Sequence, residues 1–406
     1  MRCCSPGILL IAVLLCCCAV VLSGCSTEQP EFRFNQVEYL KQERQLLDEG
    51  EDFPEHYRQD IDNLVTSLFG TPAEPFFPFL EGEDDPAHDL ISLDNLRMSA
   101  GAVSSDRDGQ QIGLYREHCA QCHGVTGDGK GPTSGFMNPY PRDFRMGRFK
   151  FKSTSGRISP TDEDLKRILH QGITGTAMPS FKLLSDEEVD ALVDYVQYLA
   201  IRGQVERLLI QEIAELDNER LLNLDGDEDA DSLEEQLEFY IEDYVIPTIG
   251  QWVRANERGS AKVTEQPEGF PNSPELIAQG KQLFHGRANC AQCHGSTGLG
   301  DGQTENYDFW TTDWLETKGV DPNDPESYAD FIEAGAFPPK TMRPRNLRLR
   351  VFRGGNRPED IYYRIKHGIS GTPMPAASAM DEKKNEIWAL VAYVLSMPDE
   401  PLTAGN

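Results

Sequence analysis

The sequence predicts an all-α protein: two related helical domains, an N-terminal helical extension before them and a helical linker between them. Three observations lead there. The hexapeptide Cys-Ala-Gln-Cys-His-Gly occurs twice, at 119–124 and 290–295. A second matched stretch follows each copy, "GITGTAMP" at 172–179 and "GISGTPMP" at 368–375. Between and after these motifs apolar residues recur at helical spacing, as in Val189, Leu192, Val193, Val196 and Leu199, a stripe opened by the capping-box pair Ser185 and Glu188.

Taken in chain order, residues 1–24 have the layout of a secretory signal, with Arg2 at the start and an apolar run from Ile8 to Leu22. The run ends in Leu-Ser-Gly-Cys, which resembles the bacterial lipobox. That resemblance implies a mature chain beginning at lipid-modified Cys25, an exported lipoprotein anchored to a membrane and facing the periplasm. An uncleaved apolar anchor is the alternative, although the run is short for a span. Five cysteines leave with the signal. The remaining four, Cys119, Cys122, Cys290 and Cys293, all belong to the two hexapeptides, so no pair is left for a structural disulfide.

Residues 25–100 read as an acidic helical extension, with seventeen acidic and four basic side chains between Ser26 and Leu90. Residues 101–202 form the first domain, 203–272 an acidic helical linker, and 273–400 the second domain with an insertion at 303–341. In the linker, Val205, Leu208, Leu209, Ile213 and Leu216, then Leu233, Leu237, Ile241 and Val245, mark a helical hairpin. Its tip, "DGDEDADS", departs from a calcium-binding EF-hand loop at Ala230 and Gln236. The net charge of −29 resides largely in these segments and disfavours nucleic acid as a partner.

Cys-x-x-Cys-His has the spacing of a heme c attachment site. On one helical turn, cysteines at i and i+3 share a face, where each can form a thioether with a heme vinyl group, and the histidine at i+4 can meet the iron. His123 and His294 are therefore the expected proximal ligands. A zinc site built from the four cysteines is the competing reading, but each motif is followed by its own methionine, which zinc does not favour. Met178 and Met374 are the expected sixth ligands. Each sits after Gly-Thr and before a proline that cannot continue a helix. Met137, Met146, Met342 and Met380 read as packing residues, with Met380 a rival to Met374. His170 and His367 also align and would give bis-histidine irons; their places at helix C-termini have an ordinary explanation.

The duplication extends to "PRDFRMGRF" against "PRNLRLRVF" and "LVDYV" against "LVAYV". Over residues 109–200 and 274–397 the chain resembles class I cytochrome c, small all-α domains that each wrap one heme. The resemblance implies two covalently attached heme c groups. It also implies that Gly131-Pro132 presents a carbonyl to the outer ring nitrogen of His123. The second copy has Gly302-Gln303 there, so His294 is expected to be less firmly oriented, and the two hemes inequivalent.

Two features fall outside the motifs. A basic stripe, Arg142, Arg145, Arg148, Lys150, Lys152 and Arg157, returns as Lys340, Arg343, Arg345, Arg348, Arg350, Arg353 and Arg357. It suits heme propionates or, alternatively, an acidic redox partner or phospholipid. The insertion, rich in turn formers, reads as a heme-shielding flap or a structural excursion.

With both axial positions filled, substrate does not readily reach the iron. The function expected is single-electron transfer between respiratory redox partners, by a carrier rather than an enzyme. Two alternatives stay open: an electron-transfer subunit of a larger oxidoreductase docked through the N-terminal extension, and a diheme cytochrome c peroxidase.

Overall fold

The computed structural model describes residues 30–47, 51–78, 86–105, 109, 111–156, 158–213, 220–222, 232–302 and 306–402. The expected signal with Cys25, Arg157, Leu216, the linker tip and Gln303 lie outside them. Among the described residues no helix is long and apolar enough to cross a membrane. Residues from Phe32 onward form one compact unit.

The longer helices of that unit are α1 (Gln36–Leu46), α2 (Glu55–Phe69), α3 (Leu93–Ser99), α4 (Asp162–Gln171), α5 (Asp186–Glu212), α6 (Leu233–Tyr240), α7 (Ile246–Arg258), α8 (Pro274–His285), α9 (Phe309–Leu315), α10 (Ala329–Glu333), α11 (Pro358–His367) and α12 (Glu386–Ser396). Among the described residues, sheet is confined to two antiparallel two-residue ladders. Ser104–Ser105 pairs with Gln111–Ile112, and Asn306–Tyr307 with Thr341–Met342.

Helix α5 organises the first half. Ser185 caps it in a capping box, its hydroxyl accepting from Glu188 N while the Glu188 carboxylate accepts from Ser185 N at 2.7 Å. Val189, Leu192, Val193, Val196 and Leu199 are all buried along its length. The helix runs unbroken through position 202, past the domain boundary drawn from sequence, and includes Gly203, where a Cβ would lie 2.3 Å from Arg145. Val205, Leu209, Ile210 and Ile213 continue the buried face, whereas Leu208, expected on it, is exposed. Leu233 is exposed as well. Helices α6 and α7 are joined through a π-helical turn, Ile241–Val245, instead of a loop.

The N-terminal extension packs onto α5. Tyr57, Ile61, Leu64, Leu68 and Phe69 of α2 share one apolar core with α5 and with Cys119. Polar contacts seal the contact: Tyr198 Oη donates to the Phe69 carbonyl at 2.5 Å, and the Asn35 N–H donates to the Glu206 carboxylate at 3.0 Å. The apolar face of α2 is therefore part of the first domain's core, not a free docking element.

In the second half α8 crosses α12. Gly280 makes the crossing possible, because a Cβ there would lie 1.9 Å from the Ala389 carbonyl oxygen. Phe284, Trp388, Val391 and Tyr393 fill the core around it.

The insertion is packed on two sides. The Asn306–Tyr307 and Thr341–Met342 ladder closes its base, and Trp314, Leu315 and Phe331 form a small core that includes Val37 and Leu40 of α1. Arg44 of α1 donates to the Ser327 carbonyl at 3.0 Å and lies over the Phe331 ring. On its other side Phe337 stacks on Tyr140 at 4.2 Å, and Lys340 Nζ donates to the Met137 carbonyl at 3.0 Å. The insertion thus clasps the second domain to the extension and to the first domain.

Candidate heme sites

Each CxxCH motif forms one helical turn, Ala120–His123 and Ala291–His294. In both, the histidine N–H donates to the carbonyl of the first cysteine at 2.9 Å. All four cysteines are free thiols. Cys119 belongs to the first apolar core and Cys290 packs on the second, so the pairs lie in separate domains and no single site uses all four. Burial, with Cys122 adding to it, pushes the Cys119 thiol up to about 12. Burial likewise pushes Cys290 up to about 11.

The glycine-rich loop after each motif places a second segment against the histidine. Gly129 N–H donates to the His123 carbonyl at 2.9 Å, and Gly300 N–H to that of His294 at 2.8 Å. Both glycines have positive φ, 73° and 79°. A Cβ would meet the Pro141 carbonyl at 2.7 Å in the first copy and the Pro344 carbonyl at 2.3 Å in the second. The Pro-Arg segment can therefore lie directly on the loop. Its arginine carbonyl then accepts from the histidine: His123 Nδ1 lies 3.0 Å from the Arg142 carbonyl, and His294 Nδ1 3.0 Å from that of Arg345. With Nδ1 so engaged, Nε2 is the nitrogen available to a metal.

This corrects the role expected of Pro132. It is exposed, and the carbonyl that meets His123 belongs to Arg142. Gly131, not the proline, is the constrained residue. Its N–H donates to the Cys122 carbonyl at 3.1 Å, and a Cβ would lie 2.3 Å from the Gln121 carbonyl. Gly302 makes the same approach, with a Cβ 2.3 Å from the Gln292 carbonyl. The missing second proline is thus no reason for a looser His294.

The copies differ beside the ring. His123 stacks on Phe144 at 4.6 Å, and desolvation pushes its pKa down to about 4. Leu347 stands where the second copy would place that aromatic, and His294 is lowered by a lesser burial. Both imidazoles stay neutral at pH 7, the form that binds iron.

The two methionine loops share one hydrogen-bond scheme. Thr176 Oγ1 donates to the Ile173 carbonyl at 2.7 Å and accepts from Met178 N–H at 3.2 Å. Thr372 does the same with Ile369 at 2.8 Å and Met374 at 3.2 Å. Ile173 N–H closes the first loop on the Met178 carbonyl and Ile369 N–H the second on that of Met374, each at 3.2 Å. Gly172 and Gly368, with φ of 65° and 70°, admit the returning strand. Met178 packs against the core that contains Cys119, and Met374 against the core that Cys290 touches. Met380 is buried core. His367 stacks on Tyr363 of its own helix, and the His170 carbonyl accepts from Ser180 Oγ.

Much of the basic stripe is engaged within the protein. Arg145 forks onto Asp143 at 2.8 and 3.0 Å, Lys150 pairs with Asp308 at 3.0 Å, and Arg357 forks onto Asp360. Lys152 donates to carbonyls of Thr154, Gly156 and Ile158. Buried cations need such partners. Arg353 Nε, in contrast, is buried without a hydrogen-bond partner. Free thiols, imidazoles with Nε2 available, methionines on the same cores and a guanidinium suited to a carboxylate together fit heme c.

The geometry agrees with comparison to known proteins. A family model described as cytochrome c oxidase, cbb3-type, subunit III matches residues 106–196, and one described as cytochrome c matches residues 277–398. No curated protein matches the chain. Among solved structures, the chain is similar to a member of a reducing HAO-like protein complex from Kuenenia stuttgartiensis, at 23% identity and a TM-score of 0.45, over 73% of this chain and 99% of that one. With a cytochrome c domain built around each CxxCH motif in an all-α chain, this protein is a diheme c-type cytochrome.

Proposed function

We propose that the protein is a membrane-tethered diheme cytochrome c that passes single electrons between respiratory partners outside the cytoplasm. Its irons are held by His123 and Met178 and by His294 and Met374. The observation that carries the reading is the methionine loop, built twice with the same hydrogen bonds on the same core as its own CxxCH. Heme bound there supplies a one-electron couple, and thioether ligation favours a high potential. The chain's part is to hold the imidazole neutral, fix the sulfur and exclude water.

Two measurements test this. The purified protein should keep two hemes per chain after acid-acetone extraction, which removes noncovalent heme; one heme, or extractable heme, overturns the stoichiometry. Lipidation of Cys25 supplies the tether, since each buried CH₂ contributes about 0.8 kcal/mol. Cys25→Ser should therefore release the protein from membranes. Retention in both low and high salt would refute the lipid anchor.

A further inference from the structure

The two domains meet through equivalent segments. Phe151 lies against Gly354, its own counterpart in the second copy, where a Cβ would come within 2.3 Å of the ring. Beside this contact the Pro-Arg segment of the second domain reaches the methionine loop of the first. Arg345 stands at the meeting point.

Its carbonyl accepts from His294 Nδ1 at 3.0 Å, inside its own domain. Its side chain turns the other way. Nε donates to the Val351 carbonyl at 2.8 Å, which fixes the guanidinium plane, and Nη2 lies 3.0 Å from where a Cβ of Gly175 would be. Val351 Cγ1 lies 3.3 Å from the same point, and Arg353 Nη2 donates to the Gly175 carbonyl at 3.4 Å. Gly175 belongs to the loop that Thr176 ties to the Met178 N–H. A shift of Gly175 therefore moves Met178 through a tied turn of three residues. The second methionine loop reaches the first domain in another way, through an exposed hydrogen bond from Ser370 Oγ to the Gly156 carbonyl at 3.2 Å.

We propose that Arg345 is a positioning residue shared by both heme sites, its backbone orienting His294 in the second domain while its side chain holds the Met178 loop of the first. The ligand sets of the two irons are thus linked through one residue. A side-chain change in the second domain loosens the axial sulfur of the first. It leaves the second histidine alone, because every substitution keeps the carbonyl. The proposal rests on the histidine-methionine ligation given above.

The test uses full-length holoprotein carrying Met374→His, in which only the first heme retains a far-red sulfur-to-iron absorption band. Arg345→Ala on that background should weaken the band and let imidazole displace Met178 at a roughly three- to thirtyfold lower concentration, the range of coupling carried by such contacts. The potential of the first heme should move more than that of the second. Should the alanine variant not accumulate, Arg345→Lys, which keeps the charge and loses the Nε bond, should shift imidazole displacement in the same direction. A band and imidazole titration indifferent to both changes would overturn the proposal alone. Absence of the band before Arg345 is altered would overturn the ligation reading and this proposal with it.

Discussion

Gly280→Ala should unfold the second domain at temperatures where the first still holds its heme. Replacing a helical glycine with alanine ordinarily stabilises a helix by about 1 kcal/mol. Here the new Cβ would lie 1.9 Å from the Ala389 carbonyl oxygen, 2.6 Å from its carbon and 2.8 Å from Tyr393 Cβ. Two of these are backbone atoms of α12, so no rotamer change relieves them. Overpacking of this kind costs about 1–3 kcal/mol and more where backbone must move. Parting α8 from α12 also exposes Leu276 and Phe284, each worth roughly 2 kcal/mol of burial. The clash outweighs the propensity gain, for a net loss of about 3 kcal/mol or more, a large share of a domain's stability. Thermal unfolding followed at heme absorption wavelengths should show an early transition involving one heme. A variant as stable as its parent would mean that the helices do not cross at Gly280.

The second large effect is on potential. Met178→His should lower the potential of the first heme by roughly 0.1 V or more, part of the range of about 0.8 V that axial ligands span. It should remove part of the far-red band and leave the other heme nearly unchanged. Met374→His should do the same for the second heme, and the double variant should lack the band. Redox titration with optical detection reads all three. A band that survives the double change would assign the sixth ligands elsewhere.

The sequence disclosed the sites best where the chemistry is local. Two cysteines and a histidine on one turn, or Gly-Thr-x-Met-Pro in one loop, carry their geometry in their spacing. The histidine's hydrogen-bond partner was not legible in this way. A backbone carbonyl has no residue signature, and Arg142 and Arg345 lie 19 and 51 residues beyond the histidines they serve. The repeated Gly129 and Gly300 were the available signal, since matched glycines in an otherwise divergent loop mark a close approach. The packing of the insertion was not legible because Trp314 and Phe331 pack with Val37 and Leu40, nearly 300 positions earlier, and no periodicity records such a contact. A boundary at 202 leaves no mark on the helix: the charge pattern changes there, while the buried apolar residues continue to Ile213.

The length of α5 bears on how the chain is made. Asn35 waits for Glu206, 171 residues later, before its N–H is satisfied, and Phe69 waits for Tyr198 across 129. At synthesis rates of about 5–20 residues per second, that interval is roughly ten to thirty seconds. Throughout it Tyr57, Ile61, Leu64 and Phe69 have no α5 to cover them. The helices of the second domain, by contrast, all arise within one continuous stretch, 274–396. A chain kept unfolded for export, or cut short before α5, therefore leaves the apolar residues from Tyr57 to Phe69 uncovered.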